Sequence, residues 1–140
     1  MIILHLVMSN DFAGIEQHVN ELAINQMENN EVHIIATNGI AHQFNQNLNI
    51  ISINNFGRRS LFNIYKLFKI IKNLNPHIIH THGSKTAQII KIIKSRLNAK
   101  YACTIHGIKS KTNIYEYADI IIGVSDKTIE SIKNKAFVIN

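Results

Sequence analysis

Two patterns of hydrophobic positions alternate along the whole chain. Short runs of branched apolar residues, typical of strands buried on both faces, are separated by segments whose apolar residues recur at helical spacing. The apolar runs predict strands over residues 2–8, 32–37, 48–53, 78–81, 101–105 and 120–124, and the start of another at 137–139; the helical spacing predicts helices over 15–29, 60–75, 85–97 and 126–134. This alternation predicts an α/β fold with a doubly wound, mostly parallel sheet.

The length, composition and charge of the chain indicate a globular domain with an anionic partner. The chain has 140 residues, 46% of them hydrophobic and 17% charged, so we expect a single globular domain over residues 1–140. Its net charge of +6 favours an anionic partner, such as a phosphate, a nucleotide or an acidic lipid. Nucleic acid is disfavoured because no nucleic-acid-binding module is recognisable and apolar stripes balance the basic residues.

The same sequence predicts a cytoplasmic location. No apolar run reaches the roughly 20 residues that span a bilayer, and the opening apolar run is too short for a signal peptide and lacks a basic leader. The single cysteine, Cys103, excludes an internal disulfide. Because it lies inside an apolar strand, we expect a small buried hydrophobic residue and not a nucleophile.

Two predicted strands end abruptly in histidines, glycines and small polar residues. The strand at 78–81 runs through His80 into the sequence His82-Gly83-Ser84-Lys85, and the strand at 101–105 runs into His106-Gly107. Open α/β sheets bind ligands at this carboxyl edge. Three interpretations stay open: a three-histidine metal site of His80, His82 and His106; histidines that are buried and hydrogen-bonded; or contacts from imidazoles and backbone N–H groups to a hydroxylated, anionic ligand, with Ser84 as N-cap and Lys85 adding charge. We prefer the third.

The first loop, residues 9–14, offers a second candidate site. Gly14 lets a ligand approach the backbone at the start of a helix, where a phosphate or a sugar ring can dock. Alternatively, Gly14 serves only the turn, and Glu16 is only a carboxylate favoured by the helix dipole. The loop is neither a P-loop nor a Gly-x-Gly-x-x-Gly motif, which argues against ATP and nicotinamide cofactors.

The helix predicted after the N-cap Ser60 has a basic face. Its apolar stripe is Leu61, Ile64, Leu67, Phe68, Ile71 and Leu74. The opposite side carries basic and aromatic residues, a composition that suits an anionic membrane surface or, equally, a solvated face. The candidate membrane-surface residues are Arg58, Arg59, Phe62, Lys66 and Lys69. For the polar loop at 109–112 we expect a plain connection in preference to a basic lid.

Four motifs in register resemble the N-terminal domain of GT-B glycosyltransferases, specifically glycosyltransferase family 4. They are the loop Ala13-Gly14-Ile15-Glu16, the Pro76-led strand through His80-Thr81-His82 to Ser84-Lys85, Thr104-Ile105-His106-Gly107, and Ala118-Asp119 through Val124-Ser125. The resemblance covers essentially the whole chain. It departs from the family pattern in the short segment 108–117 and in Ala13, where the family usually has glycine.

The resemblance implies an enzyme that transfers a sugar from a nucleotide-sugar donor to a glycan or lipid-linked acceptor, retaining anomeric configuration and using no cofactor and no metal. By position, Ala13 and Gly14 form the loop that faces the donor diphosphate, and His106 lies by the donor sugar and orients hydroxyls. The residues implied on the acceptor side are His82, Gly83, Ser84, Lys85 and Gly107. Such catalysis works by placement and charge stabilisation.

The resemblance also implies a nucleotide-binding C-terminal domain that this sequence does not contain. We therefore expect the chain by itself to bind acceptor weakly and to catalyse nothing, as the acceptor-side domain of a larger enzyme on the inner face of the cytoplasmic membrane. Two alternatives stay open. One is a non-catalytic membrane-surface subunit that complements a separate nucleotide-sugar-binding chain. The other is a zinc-dependent hydrolase whose metal ion is bound by His80, His82 and His106.

Overall fold

Seven parallel strands form one sheet in a computed structural model that describes residues 1–107, 113–130 and 136–138. The strand order is β3-β2-β1-β4-β5-β6-β7, and all six pairings are parallel. The strands are β1 (Ile2–Val7), β2 (Glu31–Thr37), β3 (Asn49–Ile53), β4 (Ile78–His82), β5 (Lys100–Ile105), β6 (Ile120–Gly123) and β7 (Ala136–Val138). The predicted doubly wound α/β fold is confirmed.

Helices cover both faces of this sheet, as the strand connections require. They are α1 (Gly14–Gln26), α2 (Asn38–Ala41), α3 (Leu61–Leu74), α4 (Ser84–Ile93) and α5 (Asp126–Ile129), with 3₁₀ turns at Lys94–Arg96 and Asn113–Tyr115. The four-residue α2 has no counterpart in the predicted elements. The predicted loop at 109–112, the end of the last predicted helix and residue 139 lie outside the described residues.

The direction of winding reverses between β1 and β4. The chain moves outward from β1 through β2 to β3, and then returns to the other side of β1 to place β4. At this point the loops that follow β1 and β4 leave the sheet in opposite directions and open a crevice at its carboxyl edge. The first loop and the histidine-rich end of β4 both lie at this crevice.

Side-chain alternation in β1 and β4 divides the core into two parts. Leu4, Leu6 and Ile79 pack on the face that α3 and α4 cover, whereas Ile3 and Ile78 pack on the face of α1 and α2. Because successive side chains of a strand point to opposite faces, the histidines of both strands lie on the α1 face.

Capping differs from the prediction at two helices. Ser60 occupies the N-cap position of α3 but makes no side-chain cap hydrogen bond; its hydroxyl accepts one from the Asn63 amide instead. Gly83, not Ser84, is the N-cap of α4, and Ser84 is the first residue of that helix. Gly83 has φ +88°, a left-handed conformation that a residue with a side chain rarely adopts.

The apolar stripe of α3 is shorter than predicted. Ile64, Leu67 and Ile71 are buried, and Phe68 is partly buried and packs against the core. Leu61 is 70% exposed, so its place in the stripe was wrong. Periodicity identifies the face of a helix, but the position where the packing partner ends depends on the tertiary structure.

Candidate functional site

Three buried histidines, His5, His80 and His82, lie together near the carboxyl ends of β1 and β4. His5 is the register partner of His80 in the neighbouring strand. The rings of His80 and His82 stack with centroids 4.2 Å apart, and the His5 ring lies 5.2 Å and 5.3 Å from them. His5 was not among the predicted site residues, although side-chain alternation places it on the same face of the sheet as His80 once β1 and β4 are paired.

Burial keeps this cluster uncharged at neutral pH. The pKa of His5 is lowered to about 4, mainly by burial and against the opposing effect of the hydrogen bond to Gln26. Burial and, to a smaller extent, neighbouring histidines lower the pKa of His80 to about 3. Burial also lowers the pKa of His82 well below its usual value, and His80 and His5 act in the same direction. A neutral imidazole has one donor and one acceptor nitrogen, so the hydrogen bonds define which nitrogen carries each proton.

The hydrogen bonds run in one direction through the cluster. The Gln26 Oε1 atom can only accept, so His5 donates from Nε2, 2.7 Å away. His5 Nδ1 is then the acceptor for His82 Nε2, at 3.1 Å. This leaves the lone pair on His82 Nδ1, which is buried and has no hydrogen-bond partner among the described residues. The acceptor nitrogen of His82 is therefore the unsatisfied end of the chain of hydrogen bonds.

A metal site formed by His80, His82 and His106 was one of the predicted alternatives. In the structure, His106 does not belong to the compact group of histidines. The compact group contains His5 instead, with one nitrogen of each histidine within 4.8 Å of the others. Both nitrogens of His5 already form hydrogen bonds, and His80 Nε2 lies 2.7 Å from the Thr104 hydroxyl. A metal ion would have to break these bonds, so we interpret the group as a hydrogen-bonded cluster.

His106 follows β5 and lies at the edge of this cluster. Its ring centroid is 5.9 Å from that of His82 and 5.6 Å from that of His18, which α1 contributes. Burial lowers the pKa of His106, His18 lowers it further, and the Glu16 carboxylate acts in the opposite direction. The His106 Nε2 atom has no hydrogen-bond partner among the described residues. The sequence did not single out His18, because only the packing of α1 on the sheet brings it beside His106.

The first loop is tied down by Glu16. One of its carboxylate oxygens accepts from the Ser9 hydroxyl at 2.5 Å, and the other accepts from the Ala13 N–H at 2.8 Å. Glu16 is buried although it is charged, so both oxygens need such partners. The Ser9 backbone carbonyl also accepts a hydrogen bond from the Thr37 hydroxyl. The loop is therefore held in one conformation at the start of α1.

The backbone does not require glycine at position 14. A Cβ atom built on Gly14 meets no atom within 4 Å, and its φ lies outside the left-handed region. The same is true of Gly107. The alternative that Gly14 serves only the turn is therefore not supported by the conformation of the turn. Open space at the first residue of α1 is what close approach of a ligand to the backbone requires.

Two cations meet at the start of α4. The Arg58 guanidinium donates from Nη1 to Gln88 Oε1 at 2.9 Å and from Nη2 to the Ser84 hydroxyl at 3.3 Å. The Lys85 ammonium donates to Asn55 Oδ1 at 2.7 Å. We predicted Arg58 to belong to the basic face of α3, but the Arg58 side chain lies against α4.

The outward face of α3 carries exposed aromatic rings beside lysines. Phe62 is 69% exposed and Tyr65 is 55% exposed. The ammonium groups of Lys66 and Lys69 lie 4.4 Å and 5.7 Å from the centroids of these two rings, respectively. Within the described residues, no helix combines the length and the apolar character needed to cross a bilayer.

Comparison with known proteins identifies the class. The sequence profile described as Glycosyltransferase Family 4 matches residues 12–138, and the chain belongs to that family. Its fold is the N-terminal half of a GT-B glycosyltransferase. No curated protein sequence matches the chain.

Solved structures share the fold at low sequence identity. Anabaena HepE in complex with UDP and glucose superimposes with a TM-score of 0.78 and 17% identity, over 99% of this chain and 44% of HepE. A glycosyltransferase from Rickettsia africae gives a TM-score of 0.72 and 18% identity, over 98% and 42% of the two chains. The lipopolysaccharide outer core galactosyltransferase WaaB gives 0.67 and 15%, over 98% and 44%. This chain thus spans less than half the length of these structures.

Proposed function

We propose that this chain is the acceptor-side domain of a retaining glycosyltransferase, which transfers a sugar from a nucleotide-sugar donor to a lipid-linked or cell-envelope glycan. The observation that carries the proposal is the convergence of three loops at the point where the winding of the sheet reverses. They follow β1, β4 and β5, and beside them lie Gly14 at the start of α1, His82 at the end of β4 and His106 directly after β5. HepE, with the same fold, was determined with UDP and glucose, which supports a nucleotide-sugar donor.

Each loop has a distinct role in this proposal. The loop residues Ala13 and Gly14 receive the donor diphosphate beside the open space at Gly14, where the N–H groups and dipole of α1 favour negative charge. His106, which is half-buried directly after β5, holds a hydroxyl of the donor sugar at the reacting centre. The segment from His82 to Lys85, together with Gly107, binds the acceptor. The nucleotide itself binds to a second domain, and no metal or cofactor takes part.

The same proposal places the domain at an anionic membrane surface on the cytoplasmic side. Phe62 and Tyr65 are large rings exposed to solvent, and lysines lie over them. Such a face inserts aromatic rings at the lipid interface while its ammonium groups contact acidic headgroups. Arg59 and the two lysines, Lys66 and Lys69, supply the charge. This location brings a lipid-linked acceptor to the crevice.

The proposal is tested by sugar transfer and by binding. The complete protein that carries this chain is incubated with uridine and guanosine diphosphate sugars and membrane lipid extracts, and transfer of labelled sugar is measured. We expect transfer with retention of configuration, and a loss of at least roughly 100-fold in His106→Ala, the size typical for a group that acts in the transition state. His42→Ala, an exposed histidine on another loop, is the matched control.

Calorimetry on the present chain separates the alternatives. Little or no binding of nucleotide sugar, with no stoichiometric zinc in the same sample, is expected of an acceptor-side domain. Tight binding of nucleotide sugar would contradict the division of roles between two domains. A natural stop codon directly after Asn140, with no transfer activity until a separate chain is added, would favour the non-catalytic subunit. Stoichiometric zinc would overturn the glycosyltransferase proposal.

A further inference from the structure

Two side chains at the start of α4 are cationic and have only neutral partners. Arg58 donates to Gln88 and Ser84, and Lys85 donates to Asn55, all of which carry uncharged oxygens. Among the described residues, neither cation has a carboxylate within 4.0 Å. The first turn of α4 also contains no acidic residue. The positive charge at this position is therefore not neutralised by the described part of the protein.

The two cations also repel each other. The Arg58 guanidinium contacts the hydroxyl of Ser84, the residue directly before Lys85. Burial lowers the pKa of Lys85, and the charge of Arg58 lowers it further. The N-terminal end of α4 adds partial positive charge of the same sign. Gly83, the N-cap, has no side chain to accept from the free N–H groups. An arrangement of like charges that the fold itself does not balance is stabilised by an anion.

The place of this pair in the fold points to the ligand. Lys85 lies three residues after His82, at the carboxyl end of β4 beside the crevice. We infer that Arg58 and Lys85 form a subsite for a phosphate group carried by the acceptor, so that the substrate class is a sugar phosphate or a lipid-linked diphosphate sugar and not a neutral glycan. This inference rests on the function proposed above. A phosphate suits the pair because its several oxygens accept from a guanidinium fork and from an ammonium group together.

Binding of simple probes by the present chain tests the subsite. Glucose 1-phosphate and inorganic pyrophosphate are titrated calorimetrically at low salt, with methyl glucoside as the uncharged probe. We expect the two phosphates to bind and methyl glucoside not to bind at the same concentrations. Arg58→Gln and Lys85→Gln should each weaken phosphate binding about tenfold, the loss expected for one charge-assisted hydrogen bond. Higher salt should weaken it as well.

Two matched controls remove a surface charge elsewhere. The controls are Arg96→Gln and Lys100→Gln. Arg96 lies just beyond the opposite end of α4, Lys100 is the first residue of β5, and both are exposed. Each should bind the phosphates as the unmodified chain does. Equal weakening in the controls and the two test variants would mean that binding follows net charge alone, and would overturn the subsite. Circular dichroism of every variant verifies that the fold is retained.

A second arm distinguishes a soluble sugar phosphate from a lipid-linked one. An isoprenoid diphosphate is embedded in neutral phosphatidylcholine vesicles, and co-sedimentation is measured with the same variants. Loss of sedimentation in Arg58→Gln and Lys85→Gln supports the lipid-linked source, whereas loss confined to glucose 1-phosphate supports the soluble one. If the complete protein glycosylates a neutral acceptor and the chain binds no phosphate, the subsite is wrong and the proposed function stands. If phosphate binds through these residues but no sugar is transferred, the proposed function fails separately.

Discussion

Acid should destabilise this fold steeply between pH 6.5 and about pH 4, because it contains a cluster of buried neutral histidines. In the unfolded chain His5 and His80 have a pKa of 6.5, whereas burial lowers their pKa to about 4 and about 3 in the fold. Above pH 6.5 both states are neutral at these positions and the free energy of unfolding is insensitive to pH. Below it, only the unfolded state takes up protons, so stability falls.

The size of the loss follows from these values. One pH unit between the two pKa values corresponds to about 1.4 kcal/mol for each group. At pH 5, about 1.5 units below the unfolded pKa, His5 and His80 each remove about 2 kcal/mol, or about 4 kcal/mol together. The lowered pKa of His82 adds to the loss in the same direction. Since a domain of this size is stable by only about 5–15 kcal/mol, the effect brings the chain close to unfolding.

Urea unfolding followed by circular dichroism at several pH values between 5 and 7.5 measures this loss. We expect the midpoint at pH 5 to lie about 2 M below that at pH 7.5, for a slope of roughly 2 kcal/mol/M. His80→Asn should be less stable than the unmodified chain at pH 7.5, because the bond to Thr104 is altered, but should lose about 2 kcal/mol less on going to pH 5.

His42→Asn is the matched control, because His42 is exposed on the loop after α2. It should lose as much stability on acidification as the unmodified chain. A total loss below about 1 kcal/mol between pH 7.5 and pH 5 would refute the reasoning. The reasoning would also be refuted if the stability of His80→Asn depended on pH as steeply as that of the unmodified chain, because the protons would then be taken up at other groups.

Further predictions concern the glycines, the core and the exposed helix face. Gly83→Ala should destabilise the chain by about 1 kcal/mol or more in urea unfolding, because φ is +88° there. Gly14→Ala should leave stability unchanged within about 0.5 kcal/mol or raise it, yet slow sugar transfer by the complete protein. Ile71→Ala should cost about 2–5 kcal/mol, because Ile71 is fully buried between α3 and the sheet. Phe62→Ser should weaken sedimentation with anionic vesicles about tenfold and leave the urea midpoint in place; unchanged sedimentation would contradict the membrane face.

The strands and the longer helices of this fold were readable from the sequence because each has its own periodicity, whereas the four-residue α2 is too short to show one. Apolar runs such as 78–81 and 101–105 can only be satisfied as strands covered on both faces, and the helices between them force parallel pairing. The carboxyl ends of these strands therefore had to meet at one edge. For that reason the hydrophobic pattern alone predicts that the segments ending at His82 and His106 lie together, and their rings are 5.9 Å apart.

Other features depend on which elements pack against each other, and no local pattern carries that information. His5 is one polar residue in an apolar strand, and it joins the histidine cluster only because β1 pairs with β4. His18 meets His106 only because α1 covers that face. Nothing in the sequence distinguishes Arg58 from other basic residues that precede a helix. Only the tertiary structure shows that its guanidinium contacts the Ser84 hydroxyl.

The sequence by itself determined every strand, the longer helices, the parallel sheet and the edge that carries the site, because these follow from interactions between residues close in the chain and from the burial of periodic apolar faces. The tertiary structure alone decided the burial of His80 and His82, hence their lowered pKa, and which cations remain without a counter-charge among the described residues. Desolvation and Coulomb energy depend on distances across the fold. Those distances join residues 26 to 77 positions apart, such as Arg58 with Ser84 and His5 with His82.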